Sequence, residues 1–273
     1  MAVYLKAAAG ALPGASRLPF VAGGGGAMPD VELEERGLAA ESGRVADYAR
    51  VCGFRLRDEL PATYPHVLAF PLQMSLMTDG SFPFSPVGLV HVGNRIEVRR
   101  PLRIGEELDL RVRPGEVEEH PKGRAFAIVT EARVDGDLAW REESTMLSRG
   151  GGGSGREDTA TEGAAPDFRF VAEWRLPGDL GRRYASVSGD RNPIHMHALT
   201  AKAFGFPRAI AHGMWTKARC LAALEPVLPE AYEVDVEFRK PILLPGRVDF
   251  ERDGVHFAVR DGARFHLVGR FRA

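Results

Sequence analysis

Hydrophobic positions recur along this chain with two different spacings. Residues 108–113 and 234–238 alternate between apolar and polar side chains, which is the pattern of half-buried strands. Residues 124–134 and 265–271 are rich in apolar and β-branched side chains and also predict strands. Strands are therefore expected in both halves of the chain.

The clearest helical pattern covers residues 213–225. Its apolar side chains recur every three or four positions and share one face (Met214, Ala218, Leu221 and Leu224), and Pro226 ends the helix. Each half therefore combines a helical section with strands that follow it. This combination predicts an α+β fold with antiparallel sheet.

Two segments divide the chain. Residues 1–27, with four consecutive glycines, predict a flexible tail, and residues 148–167, with almost no large apolar side chain, predict a flexible linker. Such a composition buries too little surface to offset the entropy lost on ordering. The folded parts are then predicted to be residues 28–147 and residues 168–273.

The two folded parts resemble each other in sequence. Residues 48–54 match residues 184–190, and residues 97–105 match residues 237–246 with one inserted position. Tyr48 and Tyr184 are 136 positions apart, and Glu97 and Glu237 are 140 positions apart. Because order and spacing both persist, the sequence predicts a tandem duplication.

Composition and charge narrow the class of protein. The chain has 273 residues, 44% hydrophobic and 27% charged, which is typical of a globular protein. Its 36 basic residues balance 37 acidic ones, so no nucleic-acid partner is expected. No apolar run approaches the ~20 residues that cross a bilayer, so no membrane partner is expected either. Cys52 and Cys220 form no spaced framework and are predicted to be buried thiols, which favours a cytoplasmic location.

Candidate catalytic residues concentrate in residues 184–215. Asp190 follows the predicted end of a short helix. Pro193 fixes its own φ and keeps Asn192 out of the helical region, so a turn follows. Asp190 and His195 therefore lie on either side of a rigid bend, where a carboxylate and an imidazole can point at one substrate.

A metal site is the competing interpretation of the histidines in this segment. His195, His197 and His212 could suggest zinc. No cysteine or carboxylate completes a regular ligand spacing with them, so no metal is predicted.

The same segment resembles a known family. The residues that carry the resemblance are Gly189-Asp190-x-Asn192-Pro193-Ile194-His195, Ala203-x-Gly205-Phe206 and Ala211-His212-Gly213-Met214. They are similar to those of the MaoC-like dehydratases and (R)-specific enoyl-CoA hydratases. The resemblance implies a hot-dog fold, in which a curled antiparallel sheet wraps around one helix. The whole chain is similar to members with a tandem, or double, hot dog.

The resemblance also implies a reaction and its residues. Asp190 and His195 would be the acid/base pair that interconverts trans-2-enoyl and (3R)-hydroxyacyl thioesters, and the backbone N–H of Gly213 would stabilise the oxyanion. The substrate would be carried by coenzyme A or an acyl carrier protein, with no cofactor, and a homodimer is a further expectation. The predicted substrate-binding residues are Asn192, His212 and Met214, of which Asn192 orients its loop and His212 hydrogen-bonds beside Gly213. The family often has Asp where this chain has His197, and losing that helix cap affects local geometry more than chemistry.

The first repeat is expected to lack catalytic residues. By alignment Phe54 corresponds to Asp190 and Leu72 to His212, and Glu59 stands where a second catalytic histidine would be. We therefore expect Phe54 and Leu72 to line an acyl cavity and each chain to hold one active site. His91 is predicted to lie on a strand that faces this cavity, without an assigned role.

Two other functions remain open on the sequence. A hot-dog thioesterase would need an acidic residue early in the apolar helix, and the first acid there is Glu225, at its far end. A non-catalytic acyl-thioester-binding subunit would be favoured by loss of Asp190 or His195, and both are present.

Deleting residues 151–161 tests the predicted linker. We expect the melting temperature and turnover to stay close to those of the full chain, because the segment has no large apolar side chain to pack and loop length costs little free energy. A large loss of stability on deletion would show that the segment is ordered.

Overall fold

The computed structural model describes residues 27–86, 88–149 and 166–273. The predicted tail and linker therefore lie, except for their edges, outside the described residues. At the near edge of the linker, the last strand of the first half runs through Arg149, two positions past the predicted boundary.

Among the described residues, each half contains five strands, with a long helix among them. The first half consists of β1 (Leu33–Ala39), α1 (Ser42–Cys52), α2 (Tyr64–Thr78), β2 (Val90–Val98), β3 (Glu107–His120), β4 (Gly123–Val134) and β5 (Asp137–Arg149). The second half consists of β6 (Arg169–Leu176), α3 (Leu180–Ser188), α4 (Pro193–Met196), α5 (Ala198–Ala203), α6 (Gly213–Leu224), β7 (Tyr232–Phe238), β8 (Gly246–Asp253), β9 (His256–Asp261) and β10 (Arg264–Arg272). The predicted strands and the predicted apolar helix are confirmed as β3, β4, β7, β10 and α6.

All ten strands form one antiparallel sheet in the order β1-β3-β4-β5-β2-β7-β10-β9-β8-β6. Read outward from the centre, each half has the same order, because β7, β10, β9, β8 and β6 repeat the succession β2, β5, β4, β3 and β1. The two halves are joined edge to edge by β2 and β7. The α+β double hot dog expected from the sequence is confirmed.

The register between β2 and β7 shows a local two-fold relation. Arg95 pairs with Asp235, which is 140 positions later in the chain. On one side Asn94 pairs with Val236, and on the other Ile96 pairs with Val234. Val234 lies 140 positions after Asn94, and Val236 lies 140 positions after Ile96, so the two pairs exchange equivalent residues. The two strands therefore meet as equivalent edges. This register supports the tandem duplication.

The short helices that precede the central ones end alike in both halves. The helix α1 ends at Gly53 with φ of 85°, and α3 ends at Gly189 with φ of 79°. Glycine adopts this left-handed conformation without the clash of a Cβ atom. The equivalence confirms the match between residues 48–54 and residues 184–190.

A buried ion-pair network lies beneath the junction of β2 and β7. Lys217 on α6 is fully buried, and its Nζ donates to Asn94 O at 2.9 Å, to Val234 O at 3.3 Å and to Asn94 Oδ1. Asn94 Nδ2 in turn donates to Glu142 Oε1 at 2.7 Å. One polar network therefore connects the central helix of the second half to β2 and β5 of the first.

Burial and opposite charge act against each other in this network. Burial lowers the pKa of Lys217 to about 7, with partial compensation from the charge of Glu142. Burial alone would raise the pKa of Glu142, but the charge and hydrogen bond of His66, with the Asn94 amide and Lys217, hold it below its usual range. Glu142 is thus a carboxylate at neutral pH, and its charge depends on its partners.

Replacing Lys217 with methionine should test how strongly the network joins the two halves. We expect Lys217→Met to lower the free energy of unfolding by about 3–5 kcal/mol, because buried oxygens of Asn94 and Val234 lose their donor and Glu142 loses a nearby cation. Urea unfolding at pH 6, where Lys217 is a cation because its pKa is about 7, measures the effect. The exposed Lys202 is the control, and Lys202→Met should change stability by no more than about 0.5 kcal/mol. Equal effects of the two substitutions would contradict the role of Lys217.

Candidate active site

A cavity of about 310 Å³ lies between the two halves and is lined by both. Its apolar wall comes largely from α2 and the first-half sheet (Phe70, Met74, Met77, Ile128 and Met146). Its opposite side is formed by the chain from α3 to the start of α6, which contains every site residue predicted from the sequence. All six line this one cavity: Asp190, Asn192, His195, His212, Gly213 and Met214.

The predicted bend between Asp190 and His195 is present and is held by local hydrogen bonds. The backbone N–H of Asn192 donates to Asp190 Oδ1 at 3.0 Å, and the backbone N–H of Ile194 donates to Asn192 Oδ1 at 3.3 Å. Asn192 thereby caps the short helix α4, which carries His195. Its side chain orients the loop, as expected, while the residue also lines the cavity.

The imidazole of His195 is fixed by one backbone contact. Its Nδ1 lies 2.8 Å from Ile210 O and donates to that carbonyl, which leaves Nε2 as a proton acceptor. Burial lowers the pKa of His195, and the nearby Asp190 opposes this shift only in part. At neutral pH His195 is therefore a neutral base.

His212 packs against His195 and the loop that carries Asp190. Its ring stacks on that of His195 with centroids 3.6 Å apart, and its Nε2 donates to Asp190 O at 3.1 Å. Burial, followed by the charge of His195, lowers the pKa of His212 to about 3. A ring that stays neutral and bonds the Asp190 backbone positions the loop, which agrees with the expectation from the sequence.

Gly213 begins α6 and brings its backbone to the cavity wall. As the first helical residue, its N–H has no partner within the helix, and the helix dipole favours an anion there. A Cβ atom at this position would lie 3.2 Å from the ring of Phe238, so a larger residue would press on that ring. Met214 follows as a buried part of the wall.

A grouping of possible metal ligands also occurs here. The ligand atoms of Asp190, His195 and His212 lie within 4.8 Å of one another. The carboxylate that the sequence spacing did not supply is thus Asp190, and the exposed His197 lies outside the grouping. One nitrogen of each ring already donates to a backbone carbonyl, so each histidine has a single nitrogen left for a ligand.

The first repeat, which is expected to lack catalytic residues, brings polar side chains to the cavity. His66, Gln73, His91 and Ser144 from the first half line the same cavity, and Glu142 lies behind them. The predicted orientation of His91 is confirmed. Glu142 and Ser144 carried a sequence signal that was missed, because with the buried Trp140 they lie two positions apart on one face of β5.

The expectation that Phe54 and Leu72 line the acyl cavity is wrong. Phe54 stacks on Tyr48 with ring centroids 6.4 Å apart and borders a separate hollow that includes Glu59. Leu72 is only partly buried and packs against the core instead. Alignment of the repeats identified equivalent backbone positions but not the direction of these side chains.

Two further expectations concern residues outside the cavity. Cys52 and Cys220 are both buried and unpaired, as predicted. Among the described residues, no helix is both long enough and apolar enough to span a membrane.

Comparison with known proteins agrees with this geometry. Residues 165–266 match the family described as MaoC like domain. The chain is 37% identical over 259 residues to 3-hydroxyacyl-thioester dehydratase X of Mycobacterium tuberculosis, covering 94% of this chain and 88% of that protein. It is 30% identical over 214 residues to the enoyl-CoA hydratase ChsH3 of the same organism, covering 73% of this chain and 72% of the relative.

Solved structures lead to the same family. The crystal structure of HtdX of Mycobacterium tuberculosis superposes with a TM-score of 0.78 at 35% identity, covering 89% of this chain and 100% of that one. A Mycobacterium tuberculosis protein with a double hot-dog fold matches at 14% identity with a TM-score of 0.51, which supports the fold alone. The second half carries the loop with the candidate catalytic residues, and the whole chain forms a double hot dog. The chain belongs to the MaoC-like dehydratase family of hydro-lyases.

Proposed function

We propose that this enzyme interconverts trans-2-enoyl and (3R)-3-hydroxyacyl thioesters, with Asp190 and His195 as its catalytic residues and Gly213 as its oxyanion donor. The observation that carries the proposal is the neutral His195, whose Nε2 is left as an acceptor beside the Asp190 carboxylate on the wall of an acyl-sized cavity. The stereochemistry follows from the family resemblance.

Hydration needs a group that takes a proton from water and returns one to carbon. His195 Nε2 accepts a proton from water as the water oxygen bonds to C3 and the C2=C3 electrons move toward the carbonyl. The carboxylate of Asp190 stabilises the imidazolium, in keeping with its effect on the pKa of His195. The enolate then takes that proton at C2, which restores neutral His195. Dehydration runs through the same steps in reverse.

The enolate places negative charge on the thioester oxygen. The free N–H at the start of α6 belongs to Gly213, and a donor that is already fixed stabilises such charge without reorganisation. Phe238 packs beside this position. These residues supply the proton transfer and the oxyanion stabilisation that the reaction needs, so we keep the prediction of a site without metal or cofactor.

The carrier of the acyl group is proposed to be coenzyme A or an acyl carrier protein. Arg239 and Lys240 line the cavity and are exposed, so they mark its opening to solvent. A phosphate of either carrier would find two cations there. A cytoplasmic location, a homodimer, and the absence of membrane and nucleic-acid partners remain predictions.

The two alternatives have less support. Acids are absent from α6, so the carboxylate that we expect of a thioesterase in that helix is missing. A non-catalytic binder would not need a neutral imidazole held beside a carboxylate. Crotonyl-CoA and a longer enoyl thioester separate the three: loss of enoyl-thioester absorbance without free thiol means hydration, free thiol means hydrolysis, and neither with both substrates means binding alone.

Substitution of the catalytic pair tests the proposal directly. We expect Asp190→Asn and His195→Ala each to lower turnover by ~10²–10⁴-fold, as for other positioned acid/base groups, with little change in melting temperature. His197→Ala is the matched control, because His197 lies two positions from His195 and is exposed. Near-normal turnover of either catalytic variant would contradict the assignment of Asp190 and His195 as catalytic residues.

The pH profile tests the protonation state of His195. Burial lowers its pKa below the ordinary 6.5, and protonated imidazole cannot accept a proton from water. We therefore expect kcat/KM for hydration to stay level near neutral pH and to fall only below pH 6.5. An acid limb at or above pH 6.5 would mean that His195 is not held as a neutral base. His197→Ala should leave the profile unchanged.

A further inference from the structure

Four polar residues of the first half face the cavity away from the catalytic loop. His66 and Gln73 come from α2, His91 from β2 and Ser144 from β5. We call these four residues the distal polar cluster. None of them takes part in the proposed proton transfer, and a fatty acyl chain without polar substituents would offer them no hydrogen bond.

Two aromatic rings lie between this cluster and the catalytic groups. Phe238 is 3.2 Å from the Cβ position of Gly213, and its centroid is 4.9 Å from that of His91. Phe70 is 3.8 Å from the Cβ position of Gly189, the neighbour of Asp190, and its centroid is 6.3 Å from that of His66. About one aromatic ring therefore separates the distal polar cluster from Gly213 and Gly189.

The cluster is held rigidly from behind. Glu142 Oε2 accepts from His66 Nδ1 at 2.8 Å and from Gln73 Nε2 at 3.3 Å. Ser144 Oγ accepts from Asn94 Nδ2 at 3.0 Å, which leaves the Ser144 O–H as a donor. These bonds fix the polar groups before any substrate binds, which lowers the entropic cost of recognition.

His91 holds an unused acceptor in this cluster. Its Nε2 is buried and has no hydrogen-bond partner among the described residues. The ring donates a hydrogen bond to the backbone of Gly93. Burial lowers the pKa of His91 to about 4, so the ring is neutral. A neutral ring that donates through one nitrogen accepts through the other. Leaving a buried acceptor unsatisfied is unfavourable, so a ligand that supplies a donor would bind favourably.

We propose that the distal polar cluster binds a hydroxyl group on the acyl chain, so that the preferred substrates are enoyl thioesters hydroxylated beyond C3. The hydroxyl donates to His91 Nε2 and accepts from the Ser144 O–H. A ketone has no proton for His91, and a carboxylate would be repelled by Glu142. This proposal rests on the proposed hydratase activity and specifies its substrate class.

A matched series of substrates tests the proposal. The series is a trans-2-decenoyl thioester, its monohydroxy derivatives from C5 to C9 and the corresponding ketones. We expect kcat/KM for at least one hydroxy derivative to exceed that of the unsubstituted thioester by about 5- to 10-fold, as one added hydrogen bond allows. The ketone at the same carbon should show no such gain.

Variants identify the residues responsible. His91→Phe places a ring without an acceptor beside Phe238, and it should reduce the ratio of hydroxy to unsubstituted kcat/KM to about one. Ser144→Ala removes one donor while Asn94 keeps its bond to Glu142, so it should reduce the ratio in part. Met146→Leu is the control, because it alters the apolar wall without changing a polar group and should keep the ratio.

The two proposals fail in distinguishable ways. Absence of turnover with crotonyl-CoA in the unaltered enzyme would overturn the hydratase function. Normal crotonyl-CoA turnover, with no hydroxy derivative preferred at any position, would overturn the hydroxyl subsite alone. A preference that survives in both His91→Phe and Ser144→Ala would equally overturn it, because the hydroxyl would then bind elsewhere.

Discussion

The antiparallel pairing of β2 with β7 is the interaction on which the rest of this structure depends. It turns two five-stranded sheets into one and places a cavity between their helices. Beneath it, Lys217 donates to backbone oxygens of both strands and to the side chain of Asn94. The charge of Glu142, which accepts from Asn94, favours the cationic form of this buried amine. The polar groups of the first half are therefore tied to the same junction that joins the repeats.

The two repeats differ most clearly around the residue that supplies this anion. Glu142 pairs with Ile96 in the first half, and Gly269 pairs with Val236 in the second, so Glu142 and Gly269 occupy equivalent positions. Phe257 fills the space beside Gly269, with its ring 2.5 Å from the Cβ position, whereas Thr130 lies beside Glu142. One repeat thus became apolar at this point and the other became polar, although their backbones kept the same strand order.

Burial has a common effect on the imidazoles of the cavity. It lowers the pKa of His91, His195 and His212, so all three rings are neutral at neutral pH. They differ in what their nitrogens contact. His195 keeps an acceptor beside Asp190, where we propose the proton transfer, His212 donates to the loop that carries Asp190, and His91 keeps an acceptor in the distal polar cluster. Hydrogen-bond partners, rather than charge, separate the three roles.

The sequence by itself determined the α+β class, the apolar helix α6, the duplication and the catalytic loop, because these depend on local spacing. The period of apolar positions defines strands and helices, and the Asn192-Pro193 turn restricts its own backbone whatever surrounds it. Only the tertiary structure decided which residues of the first half reach the cavity. Phe54 and Leu72 align with site residues yet do not line it, whereas His66 and Ser144 do. The physical reason is that side-chain direction and long-range hydrogen bonds depend on how helices pack on the sheet, and contacts between residues 76 positions apart, such as His66 and Glu142, leave no local periodicity.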